Sequence, residues 1–568
     1  MKVLYKYFIT ILFISFLSIS CKTGFSPSTS YPSASGAAYF SSQADLYINV
    51  SDCTYSEDNS TFTTISTSEA ETSQAALIAL ESSDGTSTGQ LNINLENVSE
   101  NLIISFSGTN DTDIIGGIRI QTDGSTEVGV CLSDITFTST DFPCLEITKG
   151  APASVKLEGS NTFTDGRKFG YGYGDSASTC ASSRIANANG SDSKGSLYCK
   201  GSMTICGDGS LSVTQAYKNC IASKAVLTID GGSLELVSNG KNGLYADSSV
   251  VINDGTISFS GNGQISSSSF RKCNGIATET DDSTSSVYIN GGQLDIITYN
   301  GKGINSSLVY INGGTNTFNV TGVTGYTNDD NKTASYYDAD GTYNDNVSVA
   351  FSAEGIEGAY LVQITSGKTS VTATDDGINV SDDSAAFYLK DGYIYVYSTK
   401  GDGIDCNGNL YLQGGAAVSY APTGSEDAFD CGDSNNKVYL SGGTIAGTSG
   451  SSNCVNNISI SGSQRLLYFS SSSSMGGNNR PGSSSSSSSF SSVAVQVSSE
   501  TVYAYSLPAS SFGLFVMSCP SFTSSSSSSY SVYTAPSIPS SDFNGLCLEE
   551  ESLANVTLGS SKSTPSVK

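Results

Sequence analysis

Neither histidine nor tryptophan occurs in these 568 residues, and only 14% of them are charged. Without imidazole the chain has no general base that titrates near neutral pH and no nitrogen ligand for zinc. It has no Cys-x-x-Cys pair either, so no zinc site is expected. The aromatic surface falls to 31 Tyr and 23 Phe. Positive charge is also scarce: 26 Lys and Arg face 53 Asp and Glu, a formal net charge of −27. That balance excludes direct electrostatic binding of nucleic acid or of an anionic membrane. Long hydrophobic runs are missing beyond the N-terminus, so no membrane-spanning segment is expected in the body of the chain.

The single apolar run, Phe8 to Ile19, follows Lys2 and Lys6 and is short for a bilayer. It reads as an export signal. Leu17-Ser-Ile-Ser-Cys21 is similar to a bacterial lipoprotein signal, in which Cys21 would be acylated and Lys22 to Gly36 would tether the protein to the cell surface. The alternative is simple secretion. Without Cys21, 13 of the 14 cysteines remain, so at least one thiol should be unpaired. Cys406, Cys431 and Cys454 lie 25 and 23 residues apart and are expected to stack inside the fold, as small buried residues or as a disulfide.

What the chain has in abundance is glycine, 60 residues, used in a repeating phrase. Alternating apolar residues lead into Asn-Gly, Asp-Gly or Gly-Gly and then resume, as in Leu227 to Leu236, Val287 to Ile296 and Phe387 to Val396. The last turn glycines are Gly232, Gly255, Gly292, Gly314, Gly367, Gly392, Gly415 and Gly443, with steps of 23, 37, 22, 53, 25, 23 and 28 residues. Polar stretches account for the two long steps, as when loops enter one turn of a stack. A second phrase precedes each strand pair: Asn242-Gly-Leu244, Asn274-Gly-Ile276, Lys302-Gly-Ile304, Glu354-Gly-Ile356, Asp376-Gly-Ile378 and Asp402-Gly-Ile404. Three short strands in about 23 residues fit one turn of a right-handed parallel β-helix. A WD propeller blade needs about 40–45 residues, and the nonapeptide and leucine-rich signatures are absent. Roughly 15 turns would make a rod on the order of 70 Å long.

Several segments carry a family likeness: Asn161-Thr-Phe-Thr-Asp165, Lys194 to Tyr198, Cys206 to Val213, Asp375 to Asn379 and Gly401 to Gly408. From about Ile104 to Ala535 the chain resembles the bacterial carbohydrate-binding β-helix proteins related in fold to pectate lyases. That resemblance implies binding of acidic plant polysaccharide together with calcium. The Ser-rich tail through Ser529 to Thr534 resembles the family's C-terminal β module. The chain departs from the pattern in lacking tryptophan and in placing Asn242, Asn274 and Lys302 where later turns carry acids.

Those later turns concentrate the chemistry. Glu354 and Glu357, Asp375 and Asp376, Asp402 and Asp405, then Glu426, Asp427 and Asp430 recur at one place in successive units. Stacked coils would bring the carboxylates within a few ångströms of one another, where they repel unless a cation lies between them. Calcium, with six to eight oxygen ligands at flexible angles, is the expected cofactor, and Glu354, Glu357, Asp375, Asp376, Asp402, Asp405, Asp427 and Asp430 are its candidate ligands. The alternative is that Asp-Gly only makes turns. Asp338 to Asn346 also alternates oxygen side chains around a glycine, like a calcium loop without the bidentate Glu.

The expected partner is a polysaccharide, uronate-rich if calcium bridges protein and sugar carboxylates, cellulosic if it does not. No obligate protein partner is evident, and contact with a membrane is expected through the lipid alone. Tyr288, Tyr310, Tyr388, Tyr393, Tyr395, Tyr411 and Tyr439 are candidates to offer ring faces to sugars, or else to fill the sheet surface. No arginine lies among the acidic turns and no lysine is paired there with a catalytic pattern, so binding without catalysis is the preferred reading. A calcium-dependent lyase and an adhesive surface protein are the alternatives. The expected organisation is a signal peptide (1–20), a tether (21–40), the β-helix (41–469), a Ser-rich linker (470–492), a small β module (493–536) and a polar tail (537–568).

Overall fold

The computed structural model describes residues 44–568 apart from 166–194, 323–332, 471–489 and short stretches that include 338–342, 349–351 and 433–435. The signal, the Cys21 region, most of the Ser-rich linker and the start of the Asp338 loop therefore lie outside the described residues. What remains is a parallel β-helix with three faces, followed by a small antiparallel sheet.

Each coil donates one short strand to each face, and the ladder runs without slippage through most of the stack. On the first face Leu197, Ile221, Leu244, Ile276, Ile304, Ile356, Ile378 and Ile404 pair in succession. On the second, Leu227, Val250, Val287, Val309, Val362, Phe387, Leu410, Val438 and Ile458 do the same. Because strand side chains alternate, one residue in two points inward, and these columns form a single continuous core. Burying each such side chain contributes about 1.5–3 kcal/mol, and a one-residue slip would expose a whole column, so register is strongly specified.

The two glycine phrases serve different physical ends. Gly232, Gly255, Gly292, Gly314, Gly367, Gly392, Gly415 and Gly443 all have positive φ, which only glycine adopts without strain, and they turn the second face into the third. In the Gly-Ile phrase the need is space. A Cβ on Gly355, Gly377 or Gly403 would overlap Val371 Cγ1, Val396 Cγ1 or Ser419 Oγ. These glycines let third-face side chains pack on bare backbone, and so fix the loop that carries each acid.

The C-terminal part is built differently from the expected module plus tail. Leu514–Ser518 pairs antiparallel with Thr444–Ser449, the last third-face strand, and with Leu467–Ser470. Residues after 536 are not a free tail. Leu546–Cys547 and Lys562–Ser563 extend the five-stranded sheet, Ser566–Val567 pairs with Leu467–Ser470, and Lys568 Nζ donates to Val455 O at 2.6 Å. Polar composition had suggested a tail, yet backbone pairing needs no apolar side chains. The module also packs on the third face. Tyr393, Tyr395, Ala416, Val418 and Ala446 share a core with Tyr503, Tyr505 and Phe515. The twelve described cysteines are all buried, and Cys406, Cys431 and Cys454 are free thiols. Burial pushes these three thiols up to about 12, 11 and 12.

Candidate metal centre

The acids line the corner where the third face turns into the first. Backbone bonds from Gly303 N to Glu354 O, Gly355 N to Asp376 O, Gly377 N to Asp402 O and Gly403 N to Asp427 O put Lys302, Glu354, Asp376, Asp402 and Asp427 in one row. A second row runs beside it on the first strand positions that face outward: Asn305, Glu357, Asn379 and Asp405 pair in register. Asp430 continues that row, since Phe429 bridges Ile404 and Asp430 N donates to Ile404 O at 2.8 Å. Residues up to 55 apart in sequence, Lys302 and Glu357, thus become neighbours.

The seam divides into two electrostatic halves. At its start the Lys302 ammonium donates to Glu354 Oε2 at 2.7 Å and also to Glu357 Oε2. Ser352 Oγ and Asn379 Nδ2, the latter at 2.9 Å, bind the other Glu354 oxygen. Burial would push the Glu354 carboxyl up, but Lys302 and these donors hold it below its ordinary value. Burial alone would lower the Lys302 ammonium, yet the two glutamates raise it, so it stays charged. Lys272, half-buried beside the Lys302 charge, falls to about 8 through desolvation and that repulsion.

Further along, aspartates meet one another. Asp402, Asp405 and Asp430 each place a carboxylate oxygen within 4.8 Å of the others. Burial, followed by repulsion from Asp430 and neighbouring acids, raises Asp402 to about 8 and Asp405 to about 7. Asp375 rises to about 6 and Asp376 well above the carboxylate range for the same reasons, with Glu354 the strongest repelling neighbour of each. Asp402 Oδ1 accepts from Asp427 N at 2.5 Å, and Asp376 Oδ1 from Asp402 N at 2.7 Å. Three carboxylates at this separation could hold a metal ion.

Of the eight expected ligands the geometry therefore brings together Asp402, Asp405 and Asp430. Glu354 and Glu357 are joined by Lys302, while Asp375, Asp376 and Asp427 flank the triad. Two participants were not singled out from sequence: Lys302 as counter-ion and Asn379. The side-chain oxygen of Asn379 is buried with no hydrogen-bond partner, in the row between Glu357 and Asp405. The signal for Lys302 was its place in the Gly-Ile phrase, where a cation replaces an acid.

The tyrosines are arranged against each other. Tyr288 stacks on Tyr310 at 4.8 Å, and Tyr411 lies between Tyr388 at 4.6 Å and Tyr439 at 5.1 Å. Their planes are parallel within 13°, so most ring faces are covered by neighbours and the edges point outward. Tyr393 and Tyr395 pack against the C-terminal module.

Fold and corner together define a β-solenoid with an acid-lined seam that could accept a metal. The family of carbohydrate-binding domain-containing proteins matches residues 98–403, more than half of the chain, and the chain belongs to that family. No curated protein matches its sequence. Among solved structures, the gadolinium derivative of the polysaccharide lyase-like protein from C. thermocellum aligns at 18% identity with a TM-score of 0.33, over 48% of this chain and 90% of that one. Among the described residues no helix is long and apolar enough to cross a membrane.

Proposed function

We propose that this is an exported, lipid-anchored protein that binds uronate-rich polysaccharide through calcium held at Asp402, Asp405 and Asp430, without cleaving it. The observation that carries the reading is the crowding of these three carboxylates, whose oxygens lie within 4.8 Å of one another. Hard oxygen donors and no nitrogen suit calcium, and the unpartnered Asn379 oxygen is a neutral donor of the kind calcium accepts. Bound there, calcium would supply the positive charge that lets an acidic polymer approach a chain of net charge −27.

Binding is favoured over elimination by where the bases lie. Proton abstraction beside a uronate carboxyl by a lysine needs that lysine unprotonated and within hydrogen-bond reach. Lys302 is locked as an ammonium by two glutamates. Lys272, lowered to about 8, belongs to the coil before Lys302, about four coils or roughly 19 Å from the Asp402 coil. Asp375, Asp376 and Asp427 would flank the ion with further oxygen donors, and Glu354 and Glu357 close the seam against Lys302.

Affinity electrophoresis through polygalacturonate, with calcium and with chelator, tests this. Retardation in calcium should vanish in chelator and in Asp402→Asn with Asp430→Asn. Retardation that persists in both would remove the bridging ion. Steady growth of ultraviolet absorbance from unsaturated products, abolished by Lys272→Ala, would make the protein a lyase.

A further inference from the structure

A second corner of the β-helix, where the second face turns into the third, carries an open groove of about 740 Å³. Its floor is glycine: Gly207, Gly232, Gly255 and Gly292 leave the backbone bare over four coils. One wall carries Asp208, Asp230 and Asp254. The other is a single registered row, Ser233, Thr256, Gln293 and Thr315, the first outward residue of each third-face strand. Beneath the aspartate wall runs a ladder in which Asn253 Nδ2 donates to Asp230, Asn290 to Asn253, and Asn312 to Asn290, at 2.7, 2.8 and 2.9 Å. The ladder ties successive coils together beside the groove, and the Ser and Thr side chains of its wall are short.

Its chemistry selects the ligand. No lysine, arginine or aromatic residue lines it, and three carboxylates do, so an anionic chain is repelled. Carboxylates on one side and hydroxyl and amide groups on the other are complementary to a ligand bearing hydroxyls along both edges. The wall repeats once per coil, about 4.8 Å, close to the advance of one pyranose in an extended chain. A basic peptide would use only the aspartates and leave the opposite row unsatisfied. The family match, residues 98–403, contains the whole groove but ends before Asp405 and Asp430.

We propose that this groove is a second binding site, independent of calcium, that takes an extended neutral polysaccharide along the row of coils. It rests on the reading that the protein binds glycans, though not on the metal seam. The test is electrophoresis of the full chain through hydroxyethylcellulose, glucomannan and polygalacturonate, in calcium and in chelator. At least one neutral polymer should retard the protein in chelator. Asp208→Asn with Asp254→Asn, and separately the groove-filling Thr256→Trp, should each weaken that retention about tenfold or more while polygalacturonate retention in calcium is unchanged. Absence of retention on both neutral polymers, or retention that neither variant alters, overturns the site. Retention by chitosan alone, lost in the same variants, overturns the neutral ligand. Loss of polygalacturonate retention with neutral retention intact would instead reject the calcium bridge.

Discussion

Lys302→Met removes the ammonium that joins Glu354 and Glu357 while leaving a side chain that fills the space. The three partners are largely enclosed, with side-chain exposures of 12% for Lys302, 4% for Glu354 and 20% for Glu357. Breaking a buried pair by deleting one member costs about 3–5 kcal/mol, because the charge left behind has lost its partner and is not rehydrated. For a chain of this size that corresponds to roughly 3–4 °C in melting temperature. The sign of the pH dependence follows from Glu354. Its folded pKa is held low by Lys302, so its stabilisation is present above the ordinary carboxyl value of about 4.3 and is lost as pH falls through the folded value. In the variant burial is opposed only by the Ser352 and Asn379 hydrogen bonds, so the folded value rises and protonation relieves the strain. The deficit should therefore be largest near pH 7.5 and shrink at pH 4. Thermal and urea melts of both proteins in chelator, at the two pH values, measure it. Adding Glu354→Gln and Glu357→Gln to the variant should recover most of the loss. A deficit below about 1 kcal/mol at pH 7.5, or one equal at both pH values, would refute the counter-ion role.

Other expectations follow from the same geometry. In chelator, Asp402 and Asp405, raised to about 8 and 7, favour the folded state only when protonated, so stability should fall by on the order of 3 kcal/mol from pH 5 to 8 after allowance for solvent screening; melts in saturating calcium should lose that slope. Gly377→Ala, where a Cβ would overlap Val396 Cγ1, should destabilise by about 1–3 kcal/mol or more by overpacking, read from urea midpoints. Tyr411→Ala removes a ring covered on both faces, so it should cost stability by about 1–3 kcal/mol for its two stacking partners and leave polysaccharide retardation unchanged.

Much of the architecture was readable because it is local and repeated. Turn glycines at steps near 23 residues, with apolar residues two apart on either side, admit few topologies, and the observed ladder pairs those same residues. The Gly-Ile phrase also marked the corner that carries the acids. Its steric reason was not readable, because the side chain that excludes a Cβ at Gly377 is Val396, a coil away. The tail after 536 misled for a related reason. Its polar side chains stay in solvent while its backbone completes a sheet, and composition reports only side chains.

By itself the sequence determined the coil, its three strands and the one-sided crowding of acids, since each follows from patterns shorter than about 25 residues. Only the tertiary structure decided which acids meet: Lys302 claims Glu354 and Glu357, leaving Asp402, Asp405 and Asp430 within 4.8 Å of one another. It also turned the tyrosine faces toward each other and opened the glycine-floored groove. Those outcomes depend on which residue lies one coil above another, and that distance is set by stacking, not by separation along the chain.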